Sequence, residues 1–323
     1  MQLFWRRSVF LAFFLLCLGR ASAQRIEKFY DLNWKSCTPG DARYYSILTW
    51  EDSVWHQQDY YVSSKSMQMN GYFKDTASSM RHGYFRYYYP DGNVQSAGRY
   101  ANNKKEGVWI TLHPNQMIAD SVFYKGGLVE GIRMGWHPNG YPSDSAHWTL
   151  DGQGTVVSWF SNGNPSSVML FKAGKPHGTW QFFHSNGRLA AIEKYLEGQP
   201  IEKRYYNEEG DLQADTANRS HGAFFGPIPK ESGAAWRKFL EKKIYWPQEY
   251  LLRNTDRVEV LVSALIDEEG KVSDVRVEVP FHPSFDKIAV RAMESSPRWT
   301  PAFEHNRRVA QRIRQTFGFE QKD

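Results

Sequence analysis

Glycines and aromatic residues return along the chain at a fixed interval. Gly83, Gly107, Gly131, Gly154 and Gly178 lie 24, 24, 23 and 24 residues apart. Five places after each stands Tyr88, Leu112, Trp136, Trp159 or Phe183, and nine places after stands Gly92, Gln116, Gly140, Gly163 or Gly187. Seventeen places after, an aromatic ring never fails: Tyr100, Tyr124, Trp148, Phe171, Tyr195. Each unit predicts two short strands joined by a tight turn. Asp91-Gly92, Asn139-Gly140, Asn162-Gly163 and Asn186-Gly187 are expected to supply the positive φ angles of that turn. A lone hairpin is marginal, so the rings should stack from unit to unit and build one sheet. A worn copy follows at 205–212, the tail of an earlier one falls at 71–82, and the repeats as a whole span about 70–216. Residues 24–69, rich in Trp, Tyr and Ser, precede them as a lead or capping segment.

After Asp215 the pattern changes. Residues 217–233 have the punctuation of a linker. Trp236, Phe239, Leu240 and Ile244 then fall at helical spacing, and Pro247 closes that segment. In 257–266 the alternation of Val258, Val260, Val262, Ala264 and Ile266 predicts a strand, "DEEGK" a turn, and Val275, Val277 and Val279 the returning strand with the same face inward. Phe285, Ile288, Ala289 and Ala292 give a second helix beginning near Ser284. A third strand ends the chain, with Val309, Ile313, Phe317 and Phe319 inward and Arg312 and Arg314 outward. The expected class is mainly β: a hairpin-repeat sheet, then a small α+β domain at 234–323 with a three-stranded antiparallel sheet and two helices.

That order of elements resembles the C-terminal domain of TonB proteins over about 234–321. The resemblance rests on Trp246-Pro247 after the first helix, the hairpin "IDEEGKVSDVRV" (266–277), Phe285-Asp286 and Ala289, and Trp299, Pro301 and Ala302 in "PRWTPA" (297–302). Arg307-Arg308 departs from it, standing where that family has Gly-Pro or Gly-Lys-Pro, and Tyr250 replaces a small residue. The repeats resemble MORN-type repeats in their YwqK-type variant, which serve mostly as scaffolds or binding surfaces. The TonB resemblance implies a partner that is an extended peptide, in that family the N-terminal segment of an outer-membrane receptor, added as a strand to the last strand of the sheet. The residues expected to meet it are Val309, Gln311, Arg312, Ile313, Arg314 and Gln315, with the two arginines offered to an acidic partner or serving only to keep an edge strand from aggregating.

Composition narrows the setting. The first 23 residues run from Arg6-Arg7 through an apolar stretch to Ala21-Ser22-Ala23, the layout of a cleavable secretory signal, so export to the periplasm and a mature start at Gln24 are expected. The apolar stretch is about half the roughly 20 residues a bilayer span needs, and no later segment serves, so no transmembrane helix is expected in the mature chain. Cys17 stands where a lipoprotein cysteine would, but Leu16 occupies the preceding position where a small residue is wanted. Cys37 then has no partner for a disulfide. The net charge of +5 falls to about +2 without Arg6, Arg7 and Arg20, which gives no case for nucleic acid.

Candidate chemistry is sparse. His113, His137 and His184 recur at one offset and suggest a metal ladder, but Phe160 interrupts the row and Pro or Ser follows each histidine, as turn chemistry asks. They are expected to be turn residues. With no nucleophile elbow, phosphate loop or metal-spaced Cys/His set, neither an enzyme nor a cofactor is expected. A second reading makes the chain a scaffold whose repeat aromatics hold a protein or glycan, while the TonB-like domain docks or dimerises. An aromatic patch open to solvent on the repeat sheet would favour it.

Overall fold

The computed structural model describes residues 24–213, 228–229, 233–250 and 257–321. The expected signal segment and almost all of the expected linker lie outside the described residues. From Arg25–Tyr30 to Leu212–Gln213 the chain forms one seventeen-stranded antiparallel sheet, in which neighbouring strands follow chain order except that the two-residue Lys175–Pro176 and the following Gly178–Phe183 both pair with Pro165–Lys172. The four strands between Arg25 and Phe73 continue it without interruption.

The repeated turn differs from the expected one. Gly92, Gly140, Gly163 and Gly187 are left-handed, at φ 88°, 86°, 87° and 82°, whereas the preceding Asp or Asn is not. The Gly140 amide donates to the His137 carbonyl at 2.8 Å, a turn closed three residues back, with the left-handed glycine forming the bulge after it. The Asn serves another end. Its Oδ1 accepts the backbone N–H two residues on, as from Asn164 to Asn162 at 2.9 Å. Its Nδ2 donates to a backbone carbonyl in the next unit: Asn115 to Pro138, Asn139 to Ser161, Asn162 to Ser185 and Asn186 to Glu208, at 2.8–3.0 Å.

On one face the rings interleave. Phe85, Tyr100 and Trp109 follow one another at 5.0 and 4.9 Å between centroids; Trp148, Phe171, Trp180 and Tyr195 follow at 5.0, 5.0 and 4.7 Å. Between the two runs Arg133 takes the place of the ring and holds Asp120 at 3.0 Å and Asp144 at 2.9 Å. The opposite face leaves Val108, Phe123 and Ile132 exposed, so most of the repeat sheet is a single layer.

The C-terminal part is two-layered. Strand Arg257–Ile266 lies between Val272–Val279 and Gln311–Glu320. Helices α1 (Ala234–Lys243) and α2 (Pro283–Glu294) cover one face. Val258, Val260, Val262, Ala264 and Ile266 are all buried under them, with Phe285, Ala289, Met293 and Phe317. His282 caps α2, its Nδ1 accepting from the Ser284 amide at 3.3 Å, and Pro283 fits the first turn, where no N–H is needed. Two short pairings add to the expected three-stranded sheet: Ile228–Pro229 with Trp299–Thr300, and Ala302–Glu304 with Arg307–Val309.

Val279 corrects the sequence expectation. Val277 lies opposite Val262 but Val279 lies opposite Leu261, so a bulge at Glu278 turns Val279 to the other face of the sheet. There Val279 and Leu261 pack against Tyr44, Tyr61, Tyr30 and Leu32 of the repeat sheet. The Arg43 guanidinium donates to the Glu259 and Pro280 carbonyls and lies over the Phe281 ring at 4.5 Å.

Candidate binding edge and its anchorage

The last strand, Gln311–Glu320, pairs along its whole length with Arg257–Ile266. Among the described residues no strand pairs with its other edge. Register divides its side chains by face. Gln311, Ile313, Gln315, Phe317 and Phe319 oppose Ile266, Ala264, Val262, Val260 and Val258 on the helix side; Arg312 and Arg314 oppose Leu265 and Ser263 on the other. Beside the C-terminal half of this edge runs a groove of ≈ 650 Å³, floored by Leu240, Ile244 and Trp246 and flanked by Arg237 and Glu241.

Of the six residues expected at the edge, five lie on this strand. Val309 does not. It ends the preceding short strand, pairs with Ala302, and is separated from Gln311 by the break at Ala310. The two arginines also differ. Arg312 is committed within the chain, to the Asp274 carboxylate and carbonyl and the Ser263 hydroxyl. Arg314 makes a loose ion pair with Glu278 at 3.5 Å, and its side chain is 72% exposed.

The motif residues are structural. Trp299 is buried, its Nε1 donates to Ser296 Oγ at 3.1 Å, and its backbone amide donates to the Gly270 carbonyl at 2.8 Å. Gly270, at φ 78°, lies so close to the Trp299 carbonyl that a Cβ would sit 1.8 Å from its oxygen, which explains the glycine in "DEEGK". Trp246 packs edge-on against Phe285 at 5.0 Å; Pro247 and Ala302 are buried and Pro301 is half-buried beside them.

Sequence reasoning missed the second anchor of this domain. His305 and Asn306, at φ 45° and 62°, turn the hairpin between Ala302–Glu304 and Arg307–Val309. That hairpin is set into the repeat sheet. The His305 ring stacks on Phe182, centroids 3.8 Å apart and planes within 5°, and its Nδ1 donates to Glu193 Oε1 at 3.0 Å. Glu193 is fully buried. Burial alone would raise its pKa, but the hydrogen bonds from His305 and Tyr195 outweigh that and hold the carboxyl below its usual range. Asn306 Nδ2 donates to the Tyr206 carbonyl at 2.8 Å.

The row of turn histidines shows where Arg307 fits. Each histidine Nε2 donates to a carbonyl one unit on: His113 to Trp136 at 2.7 Å, His137 to Trp159 at 3.0 Å, His184 to Tyr206 at 2.9 Å. The Tyr89 hydroxyl does the same to Leu112 at 2.8 Å. Phe160 has no donor to offer. Above its ring lies the Arg307 guanidinium, 5.6 Å from the centroid, whose Nη1 reaches the Phe183 carbonyl at 3.5 Å as well as the Ser166 carbonyl and hydroxyl. The interruption in the histidine row and the departure at Arg307, two separate irregularities in the sequence, meet in space.

With this geometry in view, residues 242–320 match the family described as Gram-negative bacterial TonB protein C-terminal. Residues 81–102 and 176–197 match the MORN repeat variant. Neither is an enzyme family. No curated protein matches the chain. Among the described residues no helix is long and apolar enough to cross a membrane.

Proposed function

We propose that this chain is an exported, non-enzymatic protein of the Gram-negative envelope that binds an extended peptide by adding it to the free edge of Gln311–Glu320. The observation that carries this reading is the unpaired edge lying beside an apolar groove. An added strand gains main-chain hydrogen bonds from the edge and sends alternate side chains to opposite faces. Those on the helix side meet Leu240, Ile244 and Trp246 and are apolar; those on the other side pass Arg314 and are acidic. The partner is the N-terminal segment of an outer-membrane receptor, and the repeat sheet is the scaffold on which the domain is mounted. On the interleaved face the rings pack on one another, so the alternative of an aromatic capture surface finds no open patch there.

The test is hydrogen exchange on the whole mature chain, with and without receptor N-terminal peptides. Slowed amides within 311–320, weakened several-fold by Ile244→Asp in the groove, are expected. Slowing confined to the repeat strands would transfer binding to the scaffold and end the strand-addition reading.

A further inference from the structure

The C-terminal domain touches the repeat sheet at two separated anchors. One is the cluster of Val279 and Leu261 on Tyr44 and Tyr61 with the Arg43 contacts; the other is the 302–309 hairpin on Phe160, Phe182 and Glu193. Between the anchors the two parts line a cleft of ≈ 700 Å³, within the about 300–1,000 Å³ of small-molecule sites. Among the described residues, the repeat-sheet wall, with Ser158, Trp159 and Met169, contributes no Asp, Glu, Lys or Arg to the lining. Those charges all come from the domain wall, where Arg276, Arg312 and Glu268 lie, and they are unevenly paired.

At one end, Arg276 and Arg312 share the single carboxylate of Asp274. Glu278, which also acts on Arg312, is met by Arg314. One positive charge is left over. Burial and then the repulsion of Arg276 press Arg312 below its ordinary pKa, so an anion placed there relieves both. The other end has the opposite sign. Glu268 makes no ion pair among the described residues. Arg307 feels its charge but is held by Glu304, and His137, which also acts on it, spends Nε2 on the Trp159 carbonyl. Burial and then Glu269 and Asp267 hold the Glu268 carboxyl above its usual range, so a cation placed there is favoured.

A lone anion drawn to Arg312 would meet Glu268 in the same cleft, and a lone cation drawn to Glu268 would meet the two arginines. The ligand that suits both ends carries both charges. Their spacing sets its size. Arg312 opposes Leu265, and Glu268 follows Leu265 by three residues, at most about 10 Å of chain. The amino and carboxyl ends of an extended dipeptide or tripeptide are about 7–10 Å apart. We infer that this cleft is a binding site for a dipeptide or tripeptide with free ends, its carboxylate on the Arg276–Arg312 pair and its ammonium on Glu268. The site exists only while the two parts are docked, because each supplies one wall. It recognises charged chain ends where the strand edge recognises main chain, and it stands whether or not the edge binds a receptor peptide.

The experiment is a calorimetric titration of the whole mature chain with trialanine, with its N-acetylated and C-amidated forms, and with acetate and methylammonium separately. Saturable binding of trialanine is expected, weakened about ten-fold or more by blocking either end. Glu268→Gln should weaken trialanine to the same degree and leave the acetylated form unchanged, because that form has no ammonium to lose. Arg276→Gln should do the same for trialanine against the amidated form. General damage to the fold would lower all three peptides together, so the pattern separates lost recognition from lost structure. Ile244→Asp, in the groove beside the strand edge, should leave trialanine binding unchanged. The inference is overturned by no trialanine binding at millimolar concentration, by blocked forms that bind as tightly as the free peptide, or by variants that weaken free and blocked peptides equally. Acetate or methylammonium binding as tightly as trialanine would also overturn it, as would loss of trialanine binding in Ile244→Asp, which would assign the peptide to the edge.

Discussion

The two parts of this molecule bury their aromatic rings in opposite ways. In the C-terminal domain Phe285 is enclosed on all sides, with Trp246, Phe281, Phe319 and Tyr250 each within 5.0–5.3 Å between centroids and helices on one side of the sheet. In the repeat sheet Trp180 is flanked along its own face by Phe171, Tyr195 and Phe182 and met from above only by the edge of His305, while the far face is open. A closed core draws cohesion from depth, whereas a single layer draws it from lateral stacking and from the turn ladders. The repeats alone therefore lack a second layer, and the docked domain supplies one over part of their ring-bearing face.

The largest expected effect breaks the comparison at its closed end. Phe285→Ala leaves a cavity that nothing can collapse into and should cost about 3–5 kcal/mol, removing the C-terminal unfolding transition in calorimetry while the repeat transition persists. Trp180→Ala, at a site that neighbouring rings and water can refill, should cost about half as much. Equal losses would show that the ladder behaves as a closed core. Next comes the anchor between the two parts. Arg307→Ala leaves the Ser166 and Phe183 carbonyls without their donor and should cost about 2–4 kcal/mol. The expected readout is faster amide exchange around Phe182 and Glu193 and an enlarged radius by small-angle scattering; unchanged dimensions would mean that the Arg43 anchor suffices.

Much of this was legible in the sequence because it is periodic or local. The glycine spacing set the hairpins, the alternation in 257–266 set the central strand, and Phe285, Ile288, Ala289 and Ala292 set the face of α2. What stayed hidden depends on contacts between distant segments. A bulge at Glu278 decides the face of Val279, and no alternation pattern shows a bulge. The break at Ala310 that removes Val309 from the last strand is equally silent. Arg307 read as a departure from one family and Phe160 as a gap in one repeat, and only tertiary structure makes them partners. Arg312 is committed because of Asp274, which lies 38 residues away from it, whereas Arg314 meets only Glu278.

The smallest effect sharpens what a thin sheet can tolerate. Asp59 is 3% exposed in strand Val54–Tyr61, accepts from Gln57 Nε2 at 2.8 Å, and burial pushes its pKa up to about 6. An unfolded aspartate titrates at about 3.9. The folded state thus holds its proton more tightly. The contribution to stability is fully present below about pH 4 and is lost as pH rises through about 6, a swing of about 2–3 kcal/mol. Asp59→Asn keeps the carbonyl that accepts from Gln57 and removes the titration. The variant and the parent should melt together at pH 4, and the variant should melt higher at pH 8; every other titrating group is shared, so the difference isolates Asp59. A parent as stable as the variant at pH 8 would mean that the Lys28 ammonium, the cation acting on Asp59, compensates the buried carboxylate in full. In that case the lead strands would be held by a buried ion pair rather than by a shared proton.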